Sequence, residues 1–325
     1  MRKFIVYAVV IAFSSRANGQ DLHTLSLDQF SIKTENIAFK ISEVIDARAD
    51  NNVIGIIQRG VKNRKDLAVF ESAGLQELEE LLKRSDLIST EKGVVMRVSR
   101  LYVSEITAMW KETAKAELSV DFFIPYNDDY YYITTIYSTF EPRGTDVTQF
   151  HPENIAIVVE NALVQFSKRE NSVSSEQPYT REELMDPMQA FRDISAMPIS
   201  QATEYKDGYY TTFDEFLLNA PTVSIDCDVK LNTTSVVRCG KEETEMSVYG
   251  YARDNQLYIA FHQEFYPLIK NDNDFIFDGP REMTGKDFEE TYKGIIVPRQ
   301  IARRGHNAQY KVDLKTGAIK NVNGF

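Results

Sequence analysis

Strictly alternating apolar residues near the middle of the chain constrain the fold more than any other feature. The alternating residues are Leu118, Val120, Phe122 and Ile124. A period of two is typical of a β-strand with one buried face. The turn sequence Asn127-Asp128-Asp129 follows, and short Asn and Asp side chains favour turns because they bond their own backbone. The segment from Tyr130 to Phe140 then reads as a second strand that runs back along the first. The pattern therefore predicts a long antiparallel hairpin.

The segment from Gly93 to Ile106 predicts another long strand, with a break in its alternation. Its apolar set is Val94, Met96 and Val98, followed by Leu101 and Val103. The second group is one residue out of phase with the first. Such a shift predicts a β-bulge, or a swap of the buried face, near Ser99–Arg100.

Two helices are predicted in the same half. Ser72 to Lys83 carries leucines at helical spacing, and the segment from Pro152 to Lys168 has one continuous apolar stripe. Strands are also expected at 37–45 and 53–58. Residues 20–170 therefore predict an α+β domain, an antiparallel sheet with two helices on one face.

The second half has a different pattern. Residues 171–221 predict a polar linker with short helices, since Thr180 with Glu183 and Thr212 with Glu215 match capping boxes. Residues 222–325 contain short strands separated by turn signals, which predict a mainly β domain, a small barrel or sandwich. The stretch 280–305 indicates no particular element.

The N-terminus has the features of a secretion signal. Arg2 and Lys3 precede an apolar run from Phe4 to Phe13, and Ala17-Asn18-Gly19 has small residues where signal peptidase cleaves. Cleavage is expected near Gly19, giving a soluble periplasmic or secreted protein. No other segment is apolar enough to span a membrane. An N-terminal helix of the fold is the alternative interpretation.

The charge balance argues against nucleic acid as a partner. The chain has 37 basic and 48 acidic residues, a net charge of −11, and removal of residues 1–19 with their three cations gives −14. Phosphate backbones need a basic face. An envelope protein, or an extracellular glycan or peptide, remains as a partner class.

The two cysteines flank a predicted hairpin. If its loop is Asn232-Thr233-Thr234, opposed residues have numbers that sum to 466, and Cys227 and Cys239 satisfy that sum. An even cysteine count in an exported chain favours a disulfide. The alternative is a pair of buried free thiols.

Aromatic residues are dense between Tyr249 and Tyr266. Alternation places Tyr249 and Tyr251 on one face of their strand, where they are candidates for a ligand platform. Packing within the core is the commoner role of such residues.

The sequence contains no catalytic motif and indicates no cofactor or metal. The four histidines are far apart, and no Gly-x-Ser-x-Gly elbow is present. We therefore expect a non-catalytic binding or accessory protein of the cell envelope. A secreted carbohydrate hydrolase is the alternative, because paired catalytic carboxylates meet only in the fold.

Two resemblances accompany these patterns. The segments 41–50, Ile54-Gly55, 75–82 and 94–103 resemble ABC-transport auxiliary components, over roughly residues 36–167. This resemblance implies a non-enzymatic accessory component of a protein complex in the cell envelope. The segments 207–210, 212–216, 219–221 and 249–252 are similar to uncharacterised secreted proteins of Gram-negative bacteria, and this similarity implies no activity.

Overall fold

The structure of the chain is a computed structural model. It describes residues 21–33, 35–59, 64–89, 93–108, 111–169, 177–191, 193–231, 236–272, 274–280 and 307–322. The predicted signal segment 1–19 and the predicted loop 232–234 lie outside the described residues, as does most of the stretch 280–305.

A large mixed sheet forms the first half of the fold. Its strands are β1 (Leu22–Leu25), β2 (Ile41–Asp46), β3 (Val53–Arg59), β4 (Arg64–Phe70), β5 (Val94–Ala108), β6 (Lys111–Tyr126), β7 (Asp129–Phe140) and β8 (Arg143–Gly144). The order is β1-β4-β3-β5-β6-β7, with β2 also paired to β5 and β8 to β6. The predicted hairpin is confirmed as β6 and β7, with Tyr126 opposite Asp129.

The predicted bulge in β5 is also confirmed. Pairing between β5 and β6 shifts register between Val98 and Arg100. As a result the apolar residues on both sides of the bulge reach one core, and Arg97 and Arg100 both lie on the opposite face of the sheet.

Two helices cover the apolar face of this sheet. They are α1 (Gln76–Arg84) and α2 (His151–Ser167), and both contribute to one buried cluster with β5 and β6. Phe166 of α2 stacks on Phe122 of β6 with ring centroids 4.0 Å apart. The predicted helices and their common face are therefore confirmed.

The expectation of an antiparallel sheet is wrong for part of it. β2 and β3 both run parallel to β5, and β1 runs parallel to β4. Parallel neighbours need a long crossover connection. The chain between β2 and β5 provides one, because it contains α1.

The second half contains short helices and three small sheets. The helices are α3 (Arg181–Met185), α4 (Pro198–Gln201) and α5 (Phe213–Leu217). The strands are β9 (Gly208–Tyr210), β10 (Asp228–Lys230), β11 (Val236–Cys239), β12 (Glu242–Glu245), β13 (Gly250–Arg253), β14 (Gln256–Phe261), β15 (Glu264–Pro267), β16 (Ile269–Asn271), β17 (Asp274–Pro280), β18 (Asn307–Val312) and β19 (Ile319–Asn321). They form three sheets, with the strand orders β15-β14-β13-β9, β10-β11-β12 and β16-β17-β18-β19. No sheet among the described strands closes into the expected small barrel.

Both predicted capping sites begin helices. Thr180 and Glu183 form the complete reciprocal box at α3. At α5 the box is half formed. Thr212 accepts from the amide of Glu215, but the Glu215 carboxylate accepts from the amide and hydroxyl of Thr211 instead.

The two halves share buried residues across the large sheet. Tyr137 of β7 belongs to the second core, together with Phe213, Tyr249 and Phe275. The division of the chain at 171–221 stays a prediction, but Tyr137 joins the sheet of the first half to the core of the second half.

Candidate functional site

A cleft of ≈ 930 Å³ lies against the polar face of the large sheet. Its floor is formed by residues of β5, β6 and β7. Its three walls are the loop 48–53 that follows β2, the segment 187–195, and the C-terminal hairpin of β18 and β19. This is the candidate functional site, and we call it the sheet cleft.

Alternation within β6 explains why the floor is polar. Ala116, Leu118, Val120 and Phe122 face the helices, whereas Lys115, Glu117, Ser119 and Asp121 face the other way and are nevertheless buried. The bulge in β5 brings Arg97 and Arg100 to the same side. Buried charges need partners, because desolvation of an isolated ion is costly.

Arg97 fixes one end of the floor. Its guanidinium forms a 2.5 Å ion pair with Asp121 and donates to the carbonyl oxygens of Leu184 and Asp186. It also lies 4.8 Å from the ring centroid of Phe191. Arg97 therefore helps to attach the segment that leads into the cleft wall to the sheet, together with the backbone hydrogen bonds between Tyr130 and Tyr179 and the packing of Phe191 on Phe123.

Arg100 occupies the adjacent part of the floor. Its Nε and Nη2 atoms both donate to Oε2 of Glu117, while Oε1 of Glu117 accepts from Tyr137 and pairs with Lys115 at 2.7 Å. Burial by itself would raise the pKa of Glu117, but the charges of Lys115 and Arg100 outweigh it and the net pKa is lowered. Glu117 is thus an ionised, fully engaged carboxylate.

The C-terminal wall carries three lysines. Lys311 pairs with Asp274 at 2.7 Å and Lys320 pairs with Asp313 at 2.5 Å, with the lysine side chains about half exposed. Lys315 is exposed in the turn between β18 and β19. It makes no ion pair with any residue that the structure describes.

Two carboxylates of the cleft, Asp50 and Asp313, have lowered pKa values. The amides of Asn52 and Val53 lower the pKa of Asp50. Burial by itself would raise the pKa of Asp313. The charge of Lys320 and local hydrogen bonds lower it by more than burial raises it, so the net pKa is below its usual value. A glycosidase needs one carboxylic acid with a raised pKa as proton donor. Neither Asp50 nor Asp313 has this property.

The structure joins Cys227 and Cys239 in a disulfide with an S–S distance of 2.04 Å. The register between β10 and β11 pairs Asp228 with Arg238 and Val229 with Val237. The numbers of each opposed pair add up to 466, as predicted. The disulfide belongs to a small buried cluster with Tyr209, Val237 and Val248, and does not line the sheet cleft.

Tyr249 and Tyr251 do not share a face. Tyr249 is buried in the second core, where its hydroxyl donates to the carbonyl of Gly317. Tyr251 packs in the cluster of the disulfide and stacks on Tyr258 with ring centroids 4.4 Å apart. The alternation does not extend across Gly250, where a Cβ would lie 2.3 Å from the carbonyl oxygen of Tyr258.

The described part of the chain contains no three His, Cys, Asp or Glu side chains grouped closely enough to hold a metal ion. None of its helices is both long enough and apolar enough to cross a membrane.

Comparison with known proteins gives little further information. No family model and no curated protein matches the chain. Among solved structures, the crystal structure of the DUF330 protein XCC0632 from Xanthomonas campestris matches with 12% identity. The match covers 45% of this chain and 90% of that one, with a TM-score of 0.28, which is too low to establish a common fold. These comparisons do not support the expected resemblance to ABC-transport auxiliary components.

The sequence patterns did not identify the sheet cleft. The alternation of β6, taken alone, predicts that its polar face is exposed to solvent. The elements that cover this face come from much later in the chain, so the pattern of β6 does not reveal them. One usable signal was present. The phase change in β5 places Arg97 and Arg100 on the face opposite the apolar core.

Proposed function

We propose that this protein is a non-catalytic binding or accessory protein of the bacterial cell envelope, and that its ligand occupies the sheet cleft. The observation that carries the proposal is the cleft itself, ≈ 930 Å³ in volume and floored by buried, mutually paired charges. Cavities of several hundred Å³ that combine apolar walls with a few fixed polar groups are the usual form of a ligand site.

The state of its charges favours binding over catalysis. Asp121 is engaged by Arg97 and Thr135, and Glu117 by Arg100, Lys115 and Tyr137. Side chains held in this way give the cleft a fixed floor, and Glu117, whose net pKa is lowered, is a poor proton donor.

An extracytoplasmic location is part of the same proposal. The disulfide between Cys227 and Cys239 is suited to an oxidising compartment, and the first 19 residues have the composition of a signal segment. Expression of the full chain in a Gram-negative host, followed by intact mass measurement, tests it. A mature mass that begins at Gln20 supports export, and a cytoplasmic protein that retains Met1 contradicts it.

Binding in the cleft can be tested before the ligand is known. Cysteines other than the disulfide pair are absent from the chain, so Met188→Cys provides a unique thiol at the cleft wall, where Met188 is 73% exposed. Leu218→Cys, at a position that is 53% exposed and does not line the cleft, is the matched control. Both variants are labelled with a bulky maleimide and applied to glycan and envelope-peptide arrays.

The proposal expects that unlabelled protein binds a subset of array members, and that the label at 188 removes this binding while the label at 218 does not. Absence of binding on every array, or binding that is equally sensitive to both labels, contradicts it. Shortening of a bound glycan, detected by chromatography, would instead support the secreted hydrolase.

A further inference from the structure

We propose that the sheet cleft recognises an acidic oligosaccharide, a sugar chain that carries carboxylate groups. This inference rests on the proposed function, because it takes the cleft to be a binding site and assigns the chemical class of its ligand.

The polar groups that remain available in the cleft are donors. Arg100 uses Nε and Nη2 on Glu117, and its Nη1 has no hydrogen bond to any described residue. The ammonium group of Lys315 is likewise unpaired within the described residues. Lys311 and Lys320 form half-exposed ion pairs, which contribute little stability and can exchange partners for a ligand.

The carboxylates that line the cleft are already engaged. Asp121 is held by Arg97 and Thr135, and Asp274 and Asp313 are held by lysines. Asp50 is exposed and accepts from two backbone amides through Oδ1. At Asp121, Asp274 and Asp313 a cationic ligand would have to compete with a donor already in place, whereas an anionic ligand finds donors that have no partner among the described residues.

The charge of the lining supports the same conclusion. Six cationic side chains line the cleft against four carboxylates, although acids outnumber bases 48 to 37 in the whole chain. Asp46 and Glu117, the ion-pair partners of Arg48 and Arg100, do not line the cleft and balance two of these cations. The excess of positive charge therefore belongs to the groups that a ligand would touch, and it favours an anionic ligand through direct contacts. Arg48 is not counted as a donor to the ligand, because its unpartnered Nη1 atom is covered by protein.

The shape of the floor favours a sugar over an acidic peptide. Extended peptides are commonly bound by adding a strand to a sheet edge. The floor of the cleft is a sheet face, in which β5 is paired on both sides by β2, β3 and β6, whereas β19, an end strand of its sheet, contributes to one wall. The floor therefore presents side chains, among them Tyr102, one face of whose ring is covered by the guanidinium of Arg100, 4.6 Å from the centroid. Aromatic rings beside fixed hydrogen-bond donors suit a sugar, which has apolar C–H faces and a polar rim.

The experiment is isothermal titration calorimetry on the disulfide-bonded protein lacking residues 1–19, the predicted mature form. The probes are tetragalacturonate, its methyl ester, which is neutral, and tetraglutamate. Tetragalacturonate should bind, the methyl ester should bind at least about tenfold more weakly, and added salt should weaken the acidic probe selectively.

Two substitutions locate the contact. Lys315→Gln should weaken tetragalacturonate binding about five- to tenfold, whereas Lys241→Gln, at an exposed lysine outside the cleft, should leave it unchanged. Arg100→Lys keeps a cation for Glu117 but removes the spare Nη1, and should also weaken binding. Far-ultraviolet circular dichroism establishes that each variant is folded.

The outcomes separate the two proposals. Equal binding of the acid and its ester would overturn the carboxylate assignment and leave the cleft as a sugar site. Binding of tetraglutamate alone would overturn the sugar assignment. Failure of all three probes, in a protein whose array binding is blocked by the label at Met188, would overturn the ligand class without affecting the proposed function.

Discussion

Arg97 and Asp121 face each other directly on β5 and β6, and their side chains form an ion pair that is almost completely buried. The pair does more than neutralise two charges. The same guanidinium donates to the carbonyl oxygens of Leu184 and Asp186, so it also contributes to holding the segment that leads into one wall of the sheet cleft.

Substitution of one partner should therefore be much more damaging than substitution of both. Arg97→Leu leaves Asp121 as a buried charge without its cation, which should lower the free energy of unfolding by about 3–5 kcal/mol. The double variant Arg97→Met/Asp121→Leu buries no unpaired charge and should lose less. Urea denaturation followed by circular dichroism measures both, and equal losses would show that the ion pair itself is unimportant.

Local patterns in the sequence predicted much of the large sheet. The alternation of β6, the turn at Asn127 and the phase change near Ser99 depend on neighbouring residues only, and each is confirmed. The register around Cys227 and Cys239 could be predicted for the same reason, because a short hairpin loop fixes the pairing of its strands.

Features that depend on distant segments could not be predicted in this way. The parallel pairing of β2 with β5 depends on how α1 packs, and no local pattern records this. The polar face of β6 is buried because residues from much later in the chain cover it, among them Leu184, which accepts from the Arg97 partner of Asp121, and Phe261 of β14, which packs on Lys115. Tyr249 and Tyr251 enter different buried clusters, and the packing partners that separate them come from distant segments such as 213–217 and 265.

The disulfide should contribute measurably to stability. By the chain-entropy argument, a link between residues 12 apart stabilises the fold by about 3 kcal/mol. Cys227→Ser/Cys239→Ser should lower the free energy of unfolding by about that amount, and the wild type in dithiothreitol should behave in the same way. Denatured protein should show no thiol reactive with iodoacetamide before reduction and two thereafter, and detection of two thiols without reductant would contradict the bond.

Stability should fall in mildly acidic solution because of His262. Burial, together with Lys115 and Arg143, lowers the pKa of His262 from 6.5 to about 3 in the folded protein. Below pH 6.5 the unfolded chain therefore binds a proton that the folded chain does not. The loss should begin near pH 6.5, reach about 2 kcal/mol at pH 5, and continue to about pH 3.

His262→Asn isolates this contribution. Asparagine does not titrate and tolerates the positive φ of 49° at this position. The variant should show a shallower decline in unfolding free energy between pH 6.5 and 5 than the wild type. Burial raises the pKa of Glu141, which acts in the opposite direction. Because Glu141 lies 4.0 Å from His262, both profiles are measured in a Glu141→Gln background, where their difference reports His262. Superimposable profiles would rule out this assignment.

Gly55 should be the least replaceable glycine of the large sheet. It lies in β3 with φ 151°, and a Cβ there would be 1.9 Å from the carbonyl oxygen of Val103 on β5. Because that contact is with backbone, Gly55→Ala must separate β3 from β5 and should lower the free energy of unfolding by more than about 3 kcal/mol. Gly240→Ala is the matched control, since Gly240 also has a positive φ but no atom within 4 Å of the added Cβ. It should lose only about 1 kcal/mol, the cost of the backbone conformation alone. If thermal and urea denaturation gave similar losses for both, the close approach of β3 to β5 would not be what requires glycine at position 55.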